Sequence, residues 1–402
     1  MGKPRRDLTI EEQLARGPMD LPFLMLVLLL LGIGLVMVFS ASYASAYYQD
    51  GDPFAYISRQ AVFGVAGVAV LYLVSKINYQ SFRWLAVFLL IAAFALLILV
   101  AIPGVGVVHN NARRWLRIFI VAGPEFQPSE VAKLAVILYF ASRLSKRNTE
   151  KKKRWDSRTP AGRILGALDR SGFLELVPYA AILLGVAFLM YLEPHMSGTI
   201  LIMVAGAAIL FAAGVKLYWF VGGGAAMGAL LWFIITNTEY MTDRIALWQN
   251  PWLDASDKGY QAIQSLLAIG SGGLLGLGLG NSRQKFLYLP EPENDFVFSI
   301  VCEELGFIGA ALVLILFALL IIRGYWLALH ARDRFGALII VGIITLFAFQ
   351  VFFNIGVVTG LLPVTGISLP FFSYGGTALM IQLAEMGIVL SVSRQIPAPK
   401  AG

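Results

Sequence analysis

Cysteine is nearly absent. Cys302 is the only one in 402 residues, which excludes an internal disulfide framework and any cysteine-built metal cluster. Histidine is scarce as well: His109, His195 and His330 are scattered, a poor basis for a histidine-ligated metal. Charge is thin, with Asp, Glu, Lys and Arg at 14% against 58% hydrophobic residues. No soluble domain of this size needs that much apolar surface. No Gly-x-x-x-x-Gly-Lys-Ser/Thr motif occurs, so the usual phosphate-loop route to nucleotide hydrolysis is excluded.

What the chain has instead is apolar runs long enough to cross a bilayer, about 20 residues each, recurring along its whole length at a mean hydropathy of +0.75. A β-barrel would show short alternating segments. The pattern predicts an all-α, polytopic integral membrane bundle of about ten transmembrane helices. The spans fall near 21–41, 55–74, 84–102, 128–144, 173–192, 198–214, 217–235, 296–322, 335–358 and 367–392. The first run has no clear small-residue cleavage site after it and reads as a retained helix rather than a signal peptide. Residues 1–20 and 394–402 form tails flanking a transmembrane domain over 21–393.

Basic residues set the orientation. With the amino terminus inside, cytoplasmic segments hold 22 of the 31 Lys and Arg, and outer segments hold eight. Cytoplasmic enrichment of this kind fixes topology, so both termini are expected to face the cytoplasm. The net charge of +7 follows from this bias and needs no nucleic acid. The most basic inner loop, 145–172, contains the run Lys146–Arg158. It reads as a topology anchor attracted to anionic lipid, with a regulatory or nucleic-acid contact as the alternative. Two outer loops, 103–127 and 236–295, are longer than connection requires, and long loops tend to carry function.

Polar constellations cluster in those loops. The first holds Asn110 and Asn111, then Arg113, Arg114, Trp115 and Arg117, and then Gln127, Pro128, Ser129, Glu130 and Lys133. Arginines offer forked donors suited to phosphate oxygens, though an interfacial Arg/Trp belt would look the same. Glu130 and Lys133 share a helix face and can pair, either as a structural ion pair or as the lining of a polar cavity. Glu193 to Thr199 is a tight polar turn with a helix cap from Ser197. The second loop holds Arg244, then Gly259 to Ser265, then a glycine–leucine run from Ile269 to Gly280. Interleaved glycines permit close backbone approach to membrane or ligand. Arg283 and Lys285 follow, placed either to hold a diphosphate or to balance the acids beyond them.

Those acids are Glu291, Glu293 and Asp295, at the edge of a long apolar run. Ionisable groups at such a boundary are functional candidates. Near the end, Gln350, Asn354, Pro363 and Gly366 precede Leu369 to Thr377, a hydroxyl-rich segment with Pro370, Gly375 and Gly376. Such residues loosen a span where the freed backbone lines a cavity.

In this order the blocks 111–115 with 126–133, 259–280, 289–306 and 354–376 resemble the SEDS family (shape, elongation, division and sporulation), the FtsW/RodA-like peptidoglycan polymerases. The closing Leu-Pro-Phe-Phe-Ser-Tyr-Gly-Gly-Thr is closer to FtsW-like members. The resemblance implies polymerisation of lipid II on the outer face of the cytoplasmic membrane. It places the family's essential aspartate on Asp295 and its glutamate on Glu291. The loop arginine falls on Arg114 and the buried pair on Glu130 and Lys133. Gln127, Ser129, Ser265 and Lys285 are the further residues expected around the substrate diphosphate. A divalent cation, Mg or Mn, on Asp295 is the one cofactor considered. A class B penicillin-binding protein is the implied partner for crosslinking, alongside division-complex proteins. His195 stands where the family often has an aspartate. A lipid II flippase and a non-catalytic division scaffold are the competing readings.

Overall fold

The computed structural model describes residues 17–109, 112–117, 125–147, 168–169, 171–193, 195–237, 245–257 and 259–396. Residues 1–16 and 397–402, Asn110, Asn111, Pro194, Arg244, Lys258 and most of the 146–158 run lie outside the described residues.

Eleven helices are named here in chain order. They are α1 (Leu21–Asp50), α2 (Ala55–Lys76), α3 (Phe82–Ala101), α4 (Pro128–Leu144), α5 (Phe173–Leu192), α6 (Met196–Ala212), α7 (Leu217–Asn237), α8 (Tyr260–Gly272), α9 (Val297–His330), α10 (Arg334–Val358) and α11 (Gly376–Ser393). Among the described residues seven stretches are long and apolar enough to cross a membrane: α1, α2, α3 with the turn before it, α5, α9, α10 and α11. The helical bundle expected from the apolar runs is therefore present.

Local chemistry sets several helix ends. Asp20 caps α1 by accepting from the Phe23 N–H, and Gly51 ends it in the left-handed conformation at φ 71°, where glycine carries no Cβ penalty. Pro128 opens α4, where a missing N–H costs nothing. Asp333 caps α10 through the Gly336 N–H.

Both described chain ends meet at one end of the bundle. Arg323 pairs with Asp20 at 2.5 Å, the Asp20 N–H reaches Ser393 Oγ, and the Gly17 N–H donates to the Arg394 carbonyl. Asp333 gathers Tyr79, Gln80 and Arg83 beside them. At the other end, Asp295 and Phe296 lie just before α9, whose 34 residues span roughly 50 Å at helical rise. Small residues let α2 and α11 approach closely, with Gly67 against Leu383 and Gly387 against Leu71, as helix pairs in membranes favour.

One expectation is corrected. The last span begins at Gly376 rather than near 367, because 367–375 folds as an irregular segment under the outer loop. Its Tyr374 N–H donates to the Glu293 carbonyl at 2.8 Å, and Leu369 N–H to Ser373 Oγ at 2.7 Å. The first long loop is not wholly irregular. It carries three short antiparallel strands in the order β1 (Val107–His109), β2 (Ala112–Arg117) and β3 (Glu125–Phe126).

The glycine–leucine run approaches protein backbone. Helix α9 breaks at Gly306 (φ 67°, ψ −171°), and the loop after α8 is hydrogen bonded into the break. Leu277 and Gly278 N–H donate to the Glu303 and Glu304 carbonyls, while Phe307 and Ile308 N–H donate back to Gly273 and Leu274. A Cβ at Gly272, Gly276 or Gly306 would collide with the backbone opposite. Only glycine allows this exchange of hydrogen bonds between loop and helix.

Candidate active site

Asp295 lies just before α9 and is partly buried. Its backbone carbonyl accepts from Asn354 Nδ2 at 2.7 Å, and the same amide donates to the Ile367 carbonyl at 2.8 Å. Asn354 thus ties the acidic loop to the irregular segment before α11. Gly366 (φ 68°) lies beside the carboxylate, so close that an added Cβ would stand 3.3 Å from Asp295 Oδ2. Burial pushes the Asp295 carboxyl up to about 6, Glu291 adds to the rise, and Arg114 opposes it. These are the terms that tune a carboxylate toward proton transfer near neutral pH.

Glu291 is exposed and sits at φ 48°, a conformation that non-glycine residues adopt at a cost and that clusters at functional sites. Asn294 supports it with Nδ2 donating to Glu291 Oε2 at 3.3 Å and its N–H to the Glu291 carbonyl at 3.1 Å. Glu293 turns the other way. It is buried against α1, accepts from Ser45 Oγ at 3.3 Å, and is raised chiefly by burial.

Arg114, on β2, is the cation these groups share. Its Nε donates to the Glu193 carbonyl at 3.4 Å, and its charge acts on Asp295, Glu193 and His195. Gln127 Nε2 contacts the His195 ring at 3.3 Å. Burial drives His195 down to about 3, with Arg114 and Lys133 adding to the fall, so the imidazole is neutral. Glu130 and Lys133 pair at 2.7 Å inside the bundle. The Ser129 hydroxyl is buried without a partner. Asp295, Glu291, Arg114, Gln127, Ser129, Glu130 and Lys133 are therefore drawn into one connected region.

Two expected members are not. The Lys285 ammonium is 2% exposed and spends its donors on Glu304 Oε1 at 3.0 Å, Ser40 Oγ at 3.1 Å and the Gly280 carbonyl at 2.7 Å. With these donors engaged, it clamps the loop against α1 and α9. Ser265 is also committed, to Ser299 Oγ and the Val358 carbonyl, both at 2.8 Å, between α8, α9 and α10. Ser282 and Lys285 stand at Ser-x-x-Lys spacing, but Ser282 Oγ donates to Glu303 and is buried. They are a clamp and not a nucleophile with its base.

The sequence reading missed three sets of residues. Glu303 and Glu304 are buried and receive the loop's N–H groups at Ser282, Arg283 and Gln284. Glu385, on α11, is buried within electrostatic reach of Lys133 and Glu130. Glu193, read as part of a turn, is 1% exposed with both carboxylate oxygens unpartnered. The signal for the first two sets was available: acids inside apolar runs are functional or paired by default.

Among the described residues no group of three or more His, Cys, Asp or Glu could hold a metal by itself. Asp295 and Glu291 supply two carboxylates, the number with which magnesium is commonly held when substrate phosphates complete its shell. The donor set fits a cation shared with a diphosphate.

Comparison with known proteins agrees with the geometry. The family model FTSW_RODA_SPOVE, described as "Cell cycle protein", matches residues 21–397. Stage V sporulation protein E of Bacillus subtilis is 43% identical over 376 residues, covering 93% of this chain and 97% of the relative. A protein named probable peptidoglycan glycosyltransferase FtsW, from Geobacter sulfurreducens, is 40% identical over 378 residues, covering 94% and 95%. Among solved structures, a chain from work on polymerization and crosslinking by a peptidoglycan synthase complex superposes with a TM-score of 0.74 at 28% identity, covering 94% of this chain and 98% of that one. The rod shape determining protein RodA of Thermus thermophilus gives 0.65, also at 28%, covering 95% and 98%. The chain belongs to the FtsW/RodA/SpoVE family, the SEDS proteins, with its nearer resemblance on the FtsW and SpoVE side.

Proposed function

We infer that this protein is a peptidoglycan glycosyltransferase that polymerises lipid II into glycan strands on the outer face of the cytoplasmic membrane, in division, elongation or sporulation. The observation that carries the reading is the Asp295 carboxyl, held partly buried at one end of the bundle with its basicity raised and Arg114 within reach.

The chemistry needs little more. A β1→4 bond made from an α-linked lipid diphosphate inverts the anomeric carbon, so one in-line displacement suffices. The acceptor 4-hydroxyl oxygen forms the new bond to that carbon, and the bond to the diphosphate oxygen breaks. Asp295 takes the hydroxyl proton, a role worth about 10²–10⁴-fold for a positioned base. Arg114 and Lys133 stabilise the departing diphosphate, and fixed charge aimed at developing charge is commonly the largest catalytic term. Glu291 keeps Asp295 basic. Asp295 and Glu291 would hold a divalent cation, which when bound would supply further charge neutralisation at the phosphates.

Crosslinking is left to a partner, for which a class B penicillin-binding protein is the fitting class, with division-complex proteins beside it. The excess of basic residues in the segments on the same side as the termini, 22 against eight, supports a cytoplasmic placement of both ends. A lipid II flippase remains the second reading, favoured by one observation: Glu130, Lys133 and Glu385 are ionisable groups inside the bundle. Purified protein supplied with lipid II in vesicles separates the readings. Polymer that requires Asp295 supports the enzyme; headgroup translocation without polymer supports transport.

A further inference from the structure

The connection between α10 and α11 brings to Asp295 a polar group that the reaction as written leaves idle. The Thr365 hydroxyl oxygen is buried, with no hydrogen-bond partner among the described residues. Its neighbour Gly366 is exposed and lies against the carboxylate, where an added Cβ would stand 3.3 Å from Asp295 Oδ2. We propose that Thr365 is a substrate-binding residue whose hydroxyl pairs with the 3-hydroxyl of the acceptor sugar, beside the 4-hydroxyl that reacts. The proposal rests on the glycosyltransferase reading above and extends it to how the acceptor is held.

The unpaired hydroxyl is the first argument. A hydroxyl buried without a partner is costly, and native chains leave few of them. Valine would fill nearly the same space without that cost. The connection is otherwise well tied. Leu362 N–H donates to the Gly356 carbonyl at 2.8 Å, Asn354 Nδ2 holds the Ile367 carbonyl at 2.8 Å, and Leu369 N–H reaches Ser373 Oγ at 2.7 Å. Between these ties, Thr365 and Gly366 make no backbone hydrogen bond among the described residues. A loop braced on both sides and left open beside Asp295 is arranged for a ligand. Rotation between staggered χ1 wells changes where the hydroxyl points, so a ligand can recruit it without moving the backbone.

The second argument is which ligand. Positions 335–393, covering α10, the connection and α11, contain no Lys, Arg or His, and Glu385 is their one acid. A diphosphate needs cations, and this wall has none to offer. It offers neutral hydroxyl and peptide groups, the complement of a neutral sugar. A threonine hydroxyl both donates and accepts, as a sugar hydroxyl does. A general base must lie within hydrogen-bond reach of the proton it takes, so what stands beside Asp295 stands beside the acceptor ring. The 3-hydroxyl is the one carried on a ring carbon adjacent to the reacting position. Gly366 serves the same end: it leaves the flank of Oδ2 open, and at φ 68° a side chain would be strained as well as obstructive.

The test compares wild type, T365V and T365S as full-length purified proteins, by initial rates of glycan synthesis and by melting temperature in the same detergent. T365V is expected to melt no lower than wild type, because it removes an unpaired buried group. Its kcat/KM is expected to fall on the order of tenfold, the worth of one neutral hydrogen bond. T365S keeps the hydroxyl and is expected to keep wild-type kcat/KM. With a lipid-linked acceptor whose 3-hydroxyl is replaced by hydrogen, wild type is expected to drop to the level of T365V, and T365V to be indifferent to the change. A lower melting temperature for T365V means that the hydroxyl has a partner in the free protein, such as a buried water, and overturns the proposal. So does an unchanged kcat/KM, or a deoxy acceptor that wild type and T365V disfavour equally. Polymer made by Asp295→Asn at the wild-type rate would overturn the reaction itself, a separate result from any given by Thr365.

Discussion

Arg114 donates to the backbone carbonyl of Glu193 at 3.4 Å, while both carboxylate oxygens of that same residue are buried without a hydrogen-bond partner. The arginine thus holds the peptide of a residue whose acid is left unsatisfied. Burial pushes the Glu193 carboxyl up to about 8, with Arg114 only partly offsetting it. An unpaired buried charge is costly, and such a group stays protonated instead.

A pH dependence of stability follows. An unfolded glutamate ionises near its ordinary value of 4.5, whereas folded Glu193 holds its proton to about 8. Between those values the unfolded chain binds fewer protons than the folded one, so stability falls as pH rises. Glu193→Gln mimics the protonated acid and removes this loss. Thermal unfolding in detergent should match wild type at pH 4.5 and exceed it at pH 8.5. Equal melting temperatures at both pH values would show that Glu193 ionises normally.

Asp295→Asn should lower glycan synthesis by about 10²–10⁴-fold, the range for a lost general base, with no loss of folded protein. For wild type, a base with its carboxyl at about 6 must be unprotonated to work, so kcat/KM should fall as pH drops through that value. Glu291→Gln removes the like charge that helps raise Asp295, and the acidic limb should move to lower pH. Rate profiles of wild type and Glu291→Gln with purified lipid II measure the displacement. An unmoved limb would detach Glu291 from Asp295.

The bundle was readable because apolar runs of membrane length are a property of sequence alone. The place of Asp295 was readable because an acid just before such a run stands out. The 367–375 segment was not, since Leu369, Pro370, Phe371 and Phe372 are as apolar as a helix while the N–H groups of Leu369, Phe371 and Phe372 donate to Ser373 Oγ, Gln382 Oε1 and the Leu369 carbonyl. The partners of Lys285 were hidden for a related reason. Its partners Ser40 and Glu304 lie 245 and 19 residues away, and local charge balance pointed to the nearer acids.

Gly276→Ala tests the loop that fills the break in α9. Gly276 sits at φ 80°, and a Cβ there would strike the Glu304 carbonyl. The backbone conformation alone costs about 1–3 kcal/mol for a side chain, before the collision is counted. Folded yield and melting temperature should both drop, and Gly280→Ala, with positive φ but open space around it, should be milder. Equal effects at the two positions would remove the close approach as the reason for the glycine.

Lys285 distinguishes a clamp from a phosphate ligand. Its pair with Glu304 is buried on both sides, at 3% and 0% side-chain exposure, and removing one partner of such a pair costs about 3–5 kcal/mol because the other charge is stranded. Lys285→Met should therefore destabilise strongly, while the double variant Lys285→Met/Glu304→Gln should recover much of the loss. The recovery is expected to be incomplete, since the loop N–H of Ser282 and the Ser40 hydroxyl would keep only an amide oxygen as acceptor. A phosphate ligand would give the opposite pattern: a raised KM for lipid II, normal melting behaviour, and no rescue by the change at Glu304. Melting curves and KM values for the two single variants and the double variant decide between these outcomes.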